Sequence, residues 1–407
     1  MAKYRLQALY QRLGLVGDPG AVRAGALPSP LMVLLRFIGS RLSLTGSRQG
    51  RRSAVSDQDF VSRTARLAGA LGLEAGNSVR LVGGRHQWQS SGQQFRRGER
   101  LLLLAAGRLY LSRAMDVYLS AGSTLWYRFG DGPVRKALGG ATLISADRDG
   151  ELQLIAAAPG DFTTAAGEID TAAQPPLPLS GELQVVVMPA LTEPERLAQA
   201  RALEPTLFAD MAEAAPLPHG WQHLWRMGQG RIFSMHDNGE IDCCTCGDVG
   251  IVQYPISLPL EASLRLSWAW LVESLPSRLP ESIQATHDYL SIAVEFDNGR
   301  DLTYMWSAEL PEGAIFQCPL PWWDQRETHW VLRNDPCKLG QWLTESRPLL
   351  DDYRRAIGGE LPGNVVAVWL IANSVFQRGE GRCRYRDIAL ENHRGRHPVP
   401  TVSKNGR

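Results

Sequence analysis

From Asn77 onward the chain alternates apolar and polar side chains in short runs cut by Gly and Asp turns. The runs are SVRLVGG, ERLLLLAAG, RLYLSRA, VYLSAG, TLWYRFG, GELQLIAA and GELQVVVM. A period of two sends alternate side chains to opposite faces, the mark of strands half-buried against a core. Recurrence every ~8–12 residues with turn signals between the runs predicts a β-sandwich. Gly130-Asp131-Gly132-Pro133 and Asp147-Arg148-Asp149-Gly150 are the strongest of those turns. A second strand-rich stretch runs from His219 to Leu390. Its strands are expected at 231–234, 250–258, 263–271, 289–296, 302–306, 329–333, 365–372 and 382–390.

Helical spacing marks four other segments. Leu31 to Leu44, LMVLLRFIGSRLSL, fits a helix better than a strand, although Gly39 weakens it. Ser56-Asp57-Gln58-Asp59 reads as a helix start before FVSRTARLAGALGL. Thr192 to Glu213, with a cap at Thr192 and Pro194 in the first turn, predicts a helical connector between domains. Leu349 to Ile357 is expected to be a helix stopped by Gly358-Gly359. The pattern as a whole predicts a mainly β protein with two sandwiches, a short helical N-terminal region and a helical connector. The expected boundaries are 1–76 for the N-terminal region, 77–190 and 219–391 for the sandwiches, 191–218 for the connector, and 392–407 for a loose tail.

Composition narrows the function classes. The 407 residues carry 43 Lys and Arg against 42 Asp and Glu, which argues against a dedicated nucleic-acid binder. Six cysteines in this length do not form a secreted disulfide framework. No apolar run reaches the ~18 residues of a membrane span. The N-terminus lacks the uninterrupted apolar stretch of a secretory signal, so a cytoplasmic location is expected. The first 60 residues hold nine basic and three acidic side chains. With the short apolar segment 31–44, they suggest peripheral membrane contact through residues 1–55.

Four segments of the second β region resemble the bacterial domain-of-unknown-function family 3047. They are LSWAWLVESLP at 266–276, HDYLSIAVEFDNGRDLTYMW at 287–306, QWLTESRPLLDDYRRAIG at 341–358 and RYRDIAL at 384–390. The resemblance implies a β-sandwich related to carbohydrate-binding modules and no particular activity. His287 stands where that family more often has an acid. In the first β region, GELQLIAAAPGDF at 150–162 and SGELQVVV at 180–187 resemble the last strands of the galactose-binding sandwich of small bacterial lectins. Both sandwiches are thus expected to be jelly-roll or galactose-binding-like. Those lectins hold calcium through acidic and amide side chains after the penultimate strand. Ala156-Ala157-Ala158-Pro159-Gly160 offers no such ligands here.

Aromatic density is the loudest chemical signal, since most of the 12 tryptophans lie in the second half. Trp268 and Trp270 share a strand face and read as core. Trp322 and Trp323 follow two prolines in a loop and, with Trp306, Asp324 and Trp330, are assigned to a ligand pocket. His287, Asp288, Tyr304 and His329 are the acid/base candidates. A turn residue, a strand cap, a core tyrosine and a structural histidine are their respective alternatives. Cys243-Cys244-Thr245-Cys246 lacks the C-x₂-C spacing and second pair of a zinc site, and Cys318, Cys337 and Cys383 are scattered. No metal and no cofactor are therefore assigned. There is no Gly-rich nucleotide loop, H-E-x-x-H or G-x-S-x-G.

These readings converge on a ligand-binding protein. A small molecule with a ring, or a glycan, would sit in an aromatic pocket between the 322–323 loop and the start of the 289–296 strand. The alternative is a cofactor-independent lyase, isomerase or hydratase acting on a hydrophobic substrate. The third reading is a membrane-surface or scaffold protein. Nothing in the sequence speaks to oligomeric state.

Overall fold

The computed structural model describes residues 27–46 and 57–401, apart from 114–116, 159, 165, 173–177, 189–191, 210, 212–216, 225–231, 237 and 321–322. The chain divides into two compact units, one of residues 42–214 and 225–231 and the other of residues 1–41, 215–224 and 232–407. Both are built of two β-sheets, antiparallel except for one parallel pair in the second unit, so the mainly β, two-sandwich expectation holds.

Among its described residues the first unit holds nine strands: β1 (Asn77–Val82), β2 (Gln89–Phe95), β3 (Arg100–Ser112), β4 (Val117–Ser120), β5 (Leu125–Phe129), β6 (Arg135–Lys136), β7 (Ala141–Ser145), β8 (Gly150–Ala156) and β9 (Ser180–Met188). One sheet has the order β1-β9-β3-β4, with β7 also on β3, and the other the order β2-β8-β5-β6. The run Leu101–Leu104 in β3 is buried throughout rather than alternately. The cause is cover on both faces. Leu102 and Leu104 pack with Phe60 and Leu67 of the helix Asp57–Ala70 and with Ala200 of the helix Pro194–Leu203. The helix Pro194–Leu203, in the segment read as a connector, thus packs into this unit.

The second unit holds β10 (Gln222–His223), β11 (Phe233–Met235), β12 (Ile241–Cys246), β13 (Val249–Pro259), β14 (Arg265–Ser274), β15 (Tyr289–Phe296), β16 (Asp301–Trp306), β17 (Ile315–Gln317), β18 (Glu327–Arg333), β19 (Trp342–Pro348), β20 (Asn364–Asn373), β21 (Glu380–Asn392) and β22 (Gly395–Pro398). A seven-stranded sheet runs β10-β13-β20-β15-β16-β18-β17, and a second runs β11-β12-β21-β14-β19, with β22 on β21. Alternation decides the core. Trp268, Trp270 and Val272 of β14 meet Leu290, Ile292 and Val294 of β15 and Leu302, Tyr304 and Trp306 of β16. The tryptophan pair is core, as its shared face suggested.

The opposite face of the seven-stranded sheet is buried too. It carries Ser291 and Ala293 of β15, Thr303 and Met305 of β16, and Val331 of β18. This second covered face is where polar side chains gather. Residues 392–400, expected to be loose, are held instead. β22 pairs with β21, Val399 is buried, and the Trp221 indole N–H donates to the Pro400 carbonyl at 2.7 Å. Two prolines and two glycines in that tail masked a four-residue strand. In the helix Pro30–Gly46, Arg36 makes two 2.6 Å bonds to Glu309. Val33, Leu34 and Phe37 of that helix are buried, while Leu31, Met32 and Leu35 face outward. No described helix is long and apolar enough to cross a membrane.

Candidate metal centre

Period two on β18 puts Glu327 and His329 on the same face of the strand. β18 runs parallel to β16, with Asp301 opposite Glu327 and Thr303 opposite His329. The chain reaches that parallel position by a loop that contributes β17 and, directly after it, Cys318. The Cys318 N–H bonds the Glu327 carbonyl at 3.0 Å, which ties the cysteine to β18. His287 closes the 3₁₀ turn Gln284–Thr286 just before β15. His287, Cys318, Glu327 and His329 are all buried, and one donor atom from each lies within 4.8 Å of the other three. Cys318 Sγ is 3.4 Å from His287 Nε2, and His329 Nε2 is 3.4 Å from Glu327 Oε1. The imidazoles stand edge to face at 4.8 Å, and Phe316 stacks on His329 at 5.0 Å.

Neighbouring groups orient these donors. His287 Nδ1 lies 2.6 Å from the Glu281 carbonyl oxygen. A carbonyl can only accept, so Nδ1 carries the proton and the Nε2 lone pair faces Cys318. Tyr289 and Thr303 hydroxyls both donate to Glu327 Oε1, at 2.9 and 3.2 Å. Hydrogen-bonded outer groups of this kind are what fix metal-ligating histidines and carboxylates. His329 is fully buried, its Nδ1 makes no hydrogen bond, and its Nε2 has only the 3.4 Å contact with Glu327. Leaving a buried polar group unpaired costs about 1–3 kcal/mol, so such an orphan calls for an explanation.

The electrostatics suit a cation. Burial, helped by His329, pushes His287 down to about 3, which leaves it a neutral ligand. Burial opposes ionisation of Glu327, but His329 and His287 outweigh it and hold the carboxyl below its ordinary range. Burial and then the Glu327 charge raise Asp301 well above the usual carboxylate range. Burial also raises the Cys318 thiol, so a thiolate there needs a positive partner. Two imidazoles, a sulfur and a carboxylate form a donor set of zinc type. Calcium and magnesium prefer oxygen alone.

The other expected site residues lie elsewhere. Asp288 turns away from His287 and accepts the backbone N–H groups of Phe376 and Gln377 at 2.9 and 2.5 Å. Tyr304 sits on the core face of β16, because Thr303 and not Tyr304 neighbours His329. Its hydroxyl donates to Asp352, which Arg347 grips at 2.8 and 2.7 Å. The four acid/base candidates therefore do not share one site; only His287 and His329 meet. Trp306 and Trp330 belong to the sandwich core, with Arg347 and Arg355 over the Trp330 ring at 4.6 and 4.8 Å. Trp323 is buried edge-on to Trp369, with Arg326 over its ring, and Asp324 is half-buried beside it in a 3₁₀ turn. Trp322 lies outside the described residues. In β12, Cys243 points inward, while Cys244 and Cys246 are exposed on the other face.

Cys318 and Glu327 were the residues missed. Cys318 stands alone in the chain, and its partners come only with the fold, which is why no metal was assigned. The one local signal was Glu327-Thr328-His329, two ligand-type side chains at the spacing that shares a strand face. Asp288→Ala removes a clamp on two backbone donors rather than a ligand. It is expected to cost about 2–4 kcal/mol in urea unfolding while metal content stays unchanged.

Residues 228–389 match the model of a family described as "Protein of unknown function (DUF3047)", the family that the segments from 266 to 390 resemble. No curated protein matches the chain. Among solved structures, the xyloglucanase domain of NopAA, a type three effector from Sinorhizobium fredii in complex with cellobiose, has a TM-score of 0.26 at 8% identity. That alignment covers 38% of this chain and 81% of that one. An exo-beta-agarase aligns over 44% of this chain and 24% of its own, with TM-score 0.24 and 9% identity. The tandem CBM22-1–CBM22-2 domain of Paenibacillus barcinonensis Xyn10C aligns over 73% of this chain and 80% of its own, with TM-score 0.22 and 10% identity.

Proposed function

We propose that the second sandwich is a metal-binding domain in which His287, Cys318, Glu327 and His329 hold one zinc-class ion as a structural centre. The observation that carries this reading is the meeting of four buried donors within 4.8 Å, one of them a histidine whose Nδ1 makes no hydrogen bond. Four protein donors fill a tetrahedral shell, and a hydrolytic zinc would keep one position open for water. The ion would pin three separate segments to each other: the lead-in to β15, the exit of β17, and β18. Binding energy at such a centre is folding energy. The protein is then a binding or scaffold protein. A glycan or other ring-bearing ligand would not stack on Trp306, Trp323 or Trp330, whose side chains are buried.

Metal analysis of the purified full chain tests this. One zinc per chain is expected, and cobalt substituted for it should show the near-ultraviolet absorption of a thiolate ligand. A metal-free protein whose melting temperature ignores added zinc would overturn the reading.

A further inference from the structure

β12 and β21 are antiparallel neighbours, and Cys243 lies directly opposite Cys383. Directly opposed residues project from the same face of a sheet. Here that face is the core, where both cysteines are buried and unbridged beside Val272 and Tyr385. The hydrogen-bond pattern sets their spacing. The Cys244 N–H donates to the Ile232 carbonyl, on the β11 side, at 2.9 Å. Successive residues of a strand alternate the side to which their N–H and C=O point, so those of Cys243 point toward β21. Cys243 and Cys383 thus form a hydrogen-bonded antiparallel pair, with α-carbons about 5.5 Å apart. Disulfides span α-carbon separations of about 4.4–6.8 Å. No other thiol competes across this ladder, since Cys244 opposes Arg382 and Cys246 opposes Glu380.

We propose that Cys243 and Cys383 are a disulfide-forming pair, oxidised by a low-molecular-weight disulfide of the glutathione type. One cysteine thiolate attacks the oxidant, forming a mixed disulfide and releasing one glutathione thiolate. The second cysteine thiolate attacks the protein-side sulfur and releases the other. Two protein thiols lose two electrons, the oxidant's bond is reduced, and the two protons end on the released glutathiones. The new bond ties β12 to β21 across most of the domain. Burial raises both thiols above their ordinary range. Exchange therefore runs while the strands are still open, during folding, and slowly once they have closed. Neither cysteine belongs to the metal cluster, so this pair stands independently of it.

The full chain, unfolded and refolded with zinc in a buffer of reduced and oxidised glutathione, tests the pair. Free thiols are alkylated, and the unreduced digest is read by mass spectrometry. The expected product links the 232–265 peptide to Cys383, with Cys318 and Cys337 alkylated. Cys244→Ser with Cys246→Ser keeps the link, Cys243→Ser abolishes it, and the linked protein melts several degrees higher than the reduced one. Alkylation of both Cys243 and Cys383 in soluble oxidised protein would overturn the proposal. So would loss of the link in the Cys244→Ser, Cys246→Ser variant.

Discussion

Replacing His329 by alanine is expected to empty the 287–329 cluster of metal and to lower the melting temperature by about 8–16 °C. A ligand present at a thousand times its dissociation constant stabilises the folded state by about 4 kcal/mol. For a domain of 150–250 residues, each kcal/mol moves the midpoint by about 2–4 °C. A lost side chain also leaves a cavity, so the melting shift alone does not isolate the ion. Chelation separates the two effects. A strong chelator should shift the unmodified protein downward and leave the His329→Ala protein where it is. Cys318→Ser changes one atom and keeps the packing, and it should weaken zinc far more than it weakens the metal-free fold. Equal chelator sensitivity in all three proteins would sink the assignment.

Trp268→Ala is expected to cost about 3–5 kcal/mol, the usual range for deleting a large buried aromatic. Trp268 is fully buried in β14, stacked on Tyr304 at 5.6 Å and edge-on to Trp270 at 5.7 Å. Its ring fills the space between the two sheets, and alanine leaves most of that space empty. Its indole nitrogen has no hydrogen-bond partner. Trp268→Phe therefore removes an unpaired donor along with some volume, and its cost should stay under about 1.5 kcal/mol. Urea unfolding followed by far-ultraviolet circular dichroism measures both. A phenylalanine variant as unstable as the alanine one would mean that the shape of the indole, rather than its bulk, holds this part of the core.

Strand positions were legible where large apolar side chains alternate with small or polar ones, even when both faces are buried. Leu290, Ile292 and Val294 alternate with Ser291 and Ala293, as Leu302 and Tyr304 do with Thr303. Legibility failed where both faces carry large apolar side chains. Leu101–Leu104 reads as one apolar block, and nothing local says that two helices lie over half of it. The site failed for the same reason. His287 and His329 stood out as isolated polar residues near strands. Their partners Cys318 and Glu327 come from a β17–β18 pairing and a parallel β16–β18 register that no short window contains. Tyr304 was grouped with His329 by closeness in sequence, and one step of strand register sent them to opposite faces.

The place of β21 in its sheet has a consequence for synthesis. It is the last long strand among the described residues, yet it lies between β12 and β14 rather than at an edge. Until residues 380–392 have left the ribosome, those two strands have no shared neighbour, and the sheet exists as two fragments with bare inner edges. The second unit can close only once residues 380–392 are free to pair with both strands. Unpaired strand edges recruit other chains, so this is the window in which the nascent protein depends most on being shielded by chaperones. A stop codon anywhere before 380 would make that exposure permanent, and the product would be a target for proteolysis rather than a shortened working protein.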